Sequence, residues 1–278
     1  MIKIVDIDSL FDKYISDFVY KNIGKVKPDE IENQIPELYK KFGQEKLKEL
    51  DGKSPEEFYR EYSGEELVEC LKTHIQQGVA ISDFLCETIT ENKENERSLI
   101  KALDEESQEE FILYVMNMLC DMDSKNCATK FLEMVLWDYS EPIKELATEF
   151  LKERADSVKE EILTQFRESS DETKEYLTEI LSGSAKDDRV FDVLIEQFAK
   201  NENKIPIYAG YLAKYGDDRA LPFLLAQIEK EKIPYADFEE LRFAIEALGG
   251  EYNKERDFKS DKSYKKIKGL DKKETLKN

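Results

Sequence analysis

The sequence predicts an all-α chain, and three observations carry that expectation. Apolar residues recur at helical spacing through most of the 278 residues. Helix starts are well marked by capping residues. Eleven glycines and seven prolines are too few for a loop-rich or low-complexity protein. The one strand signal, Ile2 to Val5, is too short to stand alone. An aromatic content of 11% supplies enough apolar surface for a core and argues against global disorder.

Taken in order, the first elements are irregular. Ser54-Pro55-Glu56-Glu57 reads as a capping box with proline in the first helical turn, and Ser63-Gly64-Glu65-Glu66 as a second one. The second opens a helix carrying Leu67, Leu71 and Ile75, which Gly78 ends. Residues 1–96 are therefore expected to form a helical N-terminal cap. From residue 97 the pattern becomes regular, with helical segments expected at 98–103, 108–120, 126–137, 141–152, 157–167, 171–182, 188–199, 205–215, 218–229 and 236–248. Paired antiparallel, they give about five helix pairs over 97–250. Each pair is amphipathic and cannot bury its apolar face alone, so stacking is expected to build a curved solenoid with a concave face.

The regular region repeats internally. Asp187-Asp188-Arg189-Val190 is echoed by Asp217-Asp218-Arg219-Ala220, thirty residues on. Ile143-Lys144-Glu145-Leu146-Ala147 is echoed, again thirty residues on, by Thr173-Lys174-Glu175-Tyr176-Leu177. Gly216-Asp217-Asp218-Arg219-Ala220-Leu221-Pro222-Phe223-Leu224 resembles the turn and first helix of a HEAT-like repeat of the short kind named after phycobilisome lyases. Leu241-Arg242-Phe243-Ala244-Ile245-Glu246-Ala247-Leu248-Gly249 resembles its second helix. The resemblance is clearest over 183–250, extends over 141–182, is only periodic over 97–140 and does not reach residues 1–90. It implies a right-handed α-α superhelix whose second helices line the concave face. Lys144 and Lys174 occupy the position of Arg242 in earlier units, and Tyr208-Ala209 interrupts that basic ladder.

Charge narrows the partners. The chain carries 62 acidic and 42 basic residues, a net of −20. Residues 251–278 form a basic tail. From Lys254 to Asn278, ten Lys or Arg stand against five Asp or Glu, a net of +5, which leaves −25 on the body. The tail has few large apolar residues (Phe258, Tyr264, Ile267, Leu270, Leu276) and is expected to be loosely held or partly ordered against the acidic body. A body this acidic repels nucleic-acid phosphates and anionic membranes and suits a basic partner. Asp6, Asp8 and Asp12 break the apolar core a secretory signal would need, and no stretch approaches the roughly 18 apolar residues of a membrane span. Cys70, Cys86, Cys120 and Cys127 do not make a disulfide framework in a chain of this length; reduced core thiols and a cytoplasmic location are expected.

Catalytic constellations are scarce. His74 is the only histidine. It reads as structural or surface, and it leaves no His-Glu iron site of the kind some helical-repeat enzymes use. Cys120 and Cys127 are seven apart with no Cys-x-x-Cys pair, so zinc is not expected. Gly52-Lys53-Ser54 fails as a phosphate loop because Leu47 stands where the first glycine belongs. Asp187/Asp188 and Asp217/Asp218 sit at helix starts, where a carboxylate caps backbone N–H groups. Glu105, Glu106, Glu109 and Glu110 read as a solvated turn. No metal and no cofactor are expected.

The binding candidates are aromatic and basic. Tyr208, Tyr211 and Tyr215 share one side of a helix, and Trp137 and Tyr139 close another; such groups anchor peptides when exposed but at this spacing are more often core. Lys144, Lys174 and Arg242 form a line that pairs with turn aspartates or grips a carboxylate or phosphate. The function expected is a non-enzymatic protein–protein interaction scaffold of the HEAT-like type, its partner a protein or peptide, with a basic one favoured by charge. The alternative is a HEAT-like DNA glycosylase or other nucleic-acid-processing enzyme using Trp137, Tyr208 and Tyr211 as its aromatics. The repeat's name also suggests a tetrapyrrole-protein lyase or chaperone.

Overall fold

The computed structural model describes residues 2–22, 31–105, 107–266 and 269; Glu106, Ile267, Leu270 and Leu276 lie outside them. The regular elements among the described residues are all helical, with no strand. Residues 2–6, strand signal included, carry no regular secondary structure. The chain divides into two compact units at Lys130/Phe131.

The first unit holds α1 (Ile7–Asn22), α2 (Ile35–Gly43), α3 (Pro55–Phe58), α4 (Gly64–Gln77), α5 (Asp83–Glu91), α6 (Glu96–Glu105) and α7 (Glu109–Asp121). Both capping boxes close as the sequence expects: Ser54 with Glu57, and Ser63 with Glu66. Gly78 ends α4 at φ 63°, a left-handed conformation that glycine adopts without a Cβ penalty. The core joins Phe58, Tyr59, Leu67, Leu71, Leu85, Leu99 and Phe111, all buried, each such side chain contributing about 1.5–3 kcal/mol. The stretch at 96–121, which periodicity groups with the repeats, packs here: α6 on α4 and α7, and α7 on α5.

Helix α8 (Ala128–Leu136) spans the boundary, and the second unit continues with α9 (Glu141–Lys152), α10 (Ala155–Gln165), α11 (Asp171–Leu181), α12 (Asp188–Lys200), α13 (Ile205–Tyr215), α14 (Leu221–Ile228) and α15 (Tyr235–Ala247). Boundaries follow the sequence expectation within a few residues. The largest departure is at 218–229. There Asp217 caps a short 3-10 turn, Asp218–Ala220, and the α-helix starts only at Leu221, with Pro222 in its first turn where no N–H is needed. The second helices pack in sequence, α9 on α11, α11 on α13 and α13 on α15. First helices pack on their own partners, α12 on α13 and α14 on α15.

Polar bridges recur between residues about thirty positions apart. The Ala185 N–H donates to the Asp156 carboxylate at 3.1 Å. Arg189 grips Glu160 through both terminal nitrogens at 2.9 and 2.6 Å. Arg219 reaches back to Asp188 at 2.8 Å while its guanidinium lies 4.3 Å over the Phe191 ring. The Tyr215 hydroxyl accepts from the Asp187 N–H at 2.6 Å and donates to the Asp187 carbonyl at 3.0 Å. Gly183 closes against the end of α9, where an added Cβ would lie 2.0 Å from the Lys152 carbonyl oxygen.

The described part of the tail is mostly exposed and rests on the second unit at a few points. Phe258 and Tyr264 set their rings edge-on to Tyr235 at 5.2 and 4.9 Å, and Tyr252 does the same to Phe238 at 5.8 Å. Lys254 and Arg256 both pair with Glu229. Ring contacts of Tyr252, Phe258 and Tyr264 therefore hold the segment, with the expected basic-on-acidic pairing at its start.

Candidate functional site

Helices α9 and α11 each present one acidic stripe. Glu141, Glu145 and Glu149 follow one another at four-residue spacing on α9, and Glu172, Glu175 and Glu179 at three or four on α11, so each set lies along one helix side. With Thr148, Tyr176 and, from α13, Ile207 and Tyr211, they line a groove of about 650 Å³. Six glutamates face a single lysine in the lining, Lys204, which pairs with Glu175. Lys152, flanking, bridges Glu149 and Glu179 at 2.5 and 2.9 Å. Glu141 and Glu145 make no ion pair among the described residues. Burial first, and then the charges of Glu141, Glu172, Glu145 and Glu175, hold the Tyr176 phenol above its ordinary range. Burial and then Glu179 raise Tyr211 further; its hydroxyl donates to the Glu179 carboxylate at 3.1 Å.

Two features of this groove invite an occupant. Ile207 is 42% exposed, an apolar anchor beside the carboxylates. Thr148 is only 2% exposed, and its hydroxyl has no hydrogen-bond partner. A buried hydroxyl left unsatisfied costs about 1–3 kcal/mol.

Across α11 the chemistry inverts. At 3.6 residues per turn Lys174 projects from the side of α11 opposite Glu172 and Glu179. It lines a second groove, about 810 Å³, with Arg167, Arg189 and Lys200, against Asp192 and Glu196. Leu163, Phe166 and Val193 provide its apolar wall. Glu196 is held below its ordinary value by Lys200 first, then by the field of Arg167 and Lys174.

The residues singled out by sequence scatter. Lys144 is buried, 8% exposed, and pairs with Glu172 at 3.7 Å. Lys174 lies in the cationic groove, while Arg242, exposed, pairs within its own helix with Glu239 and Glu246. Tyr208 is core, 2% exposed, its ring edge-on to Tyr211 at 5.6 Å, and burial pushes its hydroxyl up to about 12. Tyr211 alone of the six lines the acidic groove. Trp137, for which the spacing favours the core, is 68% exposed. The groove glutamates were missed, although a signal existed: Glu145 and Glu175, like Glu149 and Glu179, are one thirty-residue period apart.

Elsewhere the geometry is structural. His74 is fully buried, and its Nδ1 lies 2.9 Å from the Cys70 carbonyl oxygen and 3.6 Å from the Cys70 Sγ. Nε2 lies 3.5 Å from the Val5 carbonyl oxygen, so both ring nitrogens are engaged by backbone carbonyls. Burial pushes the Cys70 and Cys86 thiols up to about 12 and about 11, the reverse of an activated nucleophile. Asp187 and Asp217 accept the Arg189 and Arg219 N–H groups at 2.9 and 3.1 Å, as helix-start caps. No group of three or more His, Cys, Asp or Glu that could hold a metal occurs among the described residues. No helix among them is long and apolar enough to cross a membrane.

None of the family models, curated proteins or solved structures compared with this chain matches it.

Proposed function

We propose that the protein is a non-enzymatic interaction scaffold of HEAT-like repeats, coiled as a right-handed superhelix, and that its acidic groove receives a basic segment of a partner protein. The observation that carries the reading is the lining of that groove: six glutamates from α9 and α11, an exposed Ile207 and the unpartnered Thr148 hydroxyl. Carboxylates select lysine and arginine, the apolar edge gives an anchor, and the hydroxyl supplies a hydrogen bond that the unbound protein lacks. The thirty-residue spacing of the polar bridges supports the repeat reading. Four cysteines present as thiols suit a reducing, cytoplasmic setting. The DNA glycosylase alternative needs a basic concave groove with exposed aromatics, whereas Tyr208 is buried and the groove beside it is acidic.

The test is fluorescence anisotropy with a labelled peptide of alternating Lys and Leu, against the same peptide with Glu for Lys. The basic peptide should bind, weakening as salt rises, and the acidic one should not. Glu141→Lys with Glu145→Lys reverses the two glutamates that make no ion pair and should weaken binding at least tenfold. Equal binding of both peptides, or full affinity in the double variant, would refute the reading.

A further inference from the structure

The cationic groove stands out because the chain around it is acidic. Two of its four cations are already committed: Arg189 to Glu160 and Asp187, and Lys200 to Glu196. The other two, Arg167 and Lys174, make no ion pair among the described residues, in a chain where 62 acids face 42 bases. They converge from the end of α10 and from α11 on one groove. Gln197, in the same lining, is 5% exposed; its side-chain oxygen accepts from Asn201 at 3.3 Å, and its amide nitrogen has no acceptor among the described residues. The groove thus offers a guanidinium fork, an ammonium and an amide donor, none of them used, beside the apolar Leu163, Phe166 and Val193.

We propose that this groove binds a phosphoryl group carried on an apolar body. Arg167 and Lys174 outnumber Asp192, the lining carboxylate that makes no ion pair among the described residues, so the recess stays net positive and suits the −1.5 to −2 charge a phosphomonoester carries near neutral pH. A guanidinium fork and an ammonium suit several oxygens on one centre. The apolar wall favours an aryl or alkyl ester over the bare ion. The inference is independent of the acidic groove, which lies on the other side of α11.

Calorimetric titration of the full chain at low ionic strength tests it, with phenyl phosphate, inorganic phosphate and benzoate as probes. Phenyl phosphate should bind tightest, inorganic phosphate more weakly and benzoate least. Arg167→Ala with Lys174→Ala should weaken phenyl phosphate at least tenfold, with an unchanged melting temperature because neither residue is core. Lys214→Ala, an exposed lysine on α13, should leave affinity unchanged. Single Arg167→Glu, read by the same titration, guards against a folding effect of the double change. Absence of phosphate binding, full affinity in the double variant, or benzoate binding as tightly as phenyl phosphate would overturn the proposal. A tyrosine-phosphorylated peptide and its unphosphorylated form separate the sources of the phosphoryl group. Tighter binding of the phosphopeptide than of phenyl phosphate assigns it to a protein partner, and weaker or equal binding to a small molecule.

Discussion

The two grooves of the second unit share helix α11 and differ in almost everything else. On one side Glu172, Glu175 and Glu179 join α9 in a carboxylate-lined groove; on the other Lys174 joins Arg167 and α12 in a cationic one. Helical geometry alone makes this possible, since residues two apart on an α-helix point roughly opposite ways. Net charge, which describes the chain as uniformly acidic, therefore misdescribes the local fields. A −20 protein can present a cationic recess where basic residues outnumber the carboxylates on one face.

That comparison can be broken from beneath. Leu177 is fully buried in α11, the helix that both grooves share. Leu177→Ala should cost about 2–5 kcal/mol by lost burial and a cavity, measured by urea unfolding. Basic-peptide and phenyl phosphate binding should then fail together at one denaturant midpoint; separate midpoints would mean the grooves do not rest on a common helix.

A swap of probes sharpens the contrast next. Glu141→Lys with Glu145→Lys should abolish most basic-peptide binding yet leave phenyl phosphate within about twofold, because charges more than a Debye length apart, about 8 Å at physiological salt, are largely screened. Arg167→Ala with Lys174→Ala should show the converse. Cross-effects of tenfold would show that the two grooves act as one electrostatic unit.

A smaller effect is expected at Thr148. Thr148→Val keeps the shape and removes a buried hydroxyl that has no partner. Stability should rise by about 1 kcal/mol, while basic-peptide affinity falls several-fold and phenyl phosphate binding is unchanged. A loss of stability would mean that the hydroxyl is satisfied within the folded chain.

The smallest effect concerns acid. The Arg189 side chain first, then its N–H, hold Asp187 down to about 2, from an ordinary 3.8. The folded-state value is depressed, so this stabilisation is present above about 4 and is lost as the pH falls toward 2. Asp217 and Glu160 are lowered in the same direction by Arg219 and Arg189. Melting temperature followed from pH 5 to pH 2 should fall, and Asp187→Asn should flatten that slope. An unchanged slope would remove the capping role.

Much of the fold was legible because its signals are local. Ser63 with Glu66, Gly78, and the apolar spacing of α9 through α13 mark helix ends and buried faces without reference to distant residues. The Asp187-Arg189 and Asp217-Arg219 turns were legible as caps for the same reason. The candidate site was legible only in part. Lys174 and Tyr211 were named, but for a line of basic residues and a tyrosine face; the structure buries Lys144 and Tyr208 and turns Arg242 onto its own helix. Trp137 was expected inside and stands exposed, because it follows the end of α8 in a turn where helical spacing no longer dictates burial.

The sequence by itself therefore determined where the helices start, stop and bury their apolar sides, since capping, propensity and periodicity act over a few residues. It also determined the thirty-residue beat that sets Glu145 against Glu175 and Asp187 against Asp217. Only the tertiary structure decided which charges cancel and which remain. Arg189 found Glu160 and Lys204 found Glu175 on neighbouring helices, whereas Arg167, Lys174, Glu141 and Glu145 found no ion-pair partner among the described residues. Pairing depends on distances of a few ångströms between residues some thirty positions apart, and helix packing alone sets those distances.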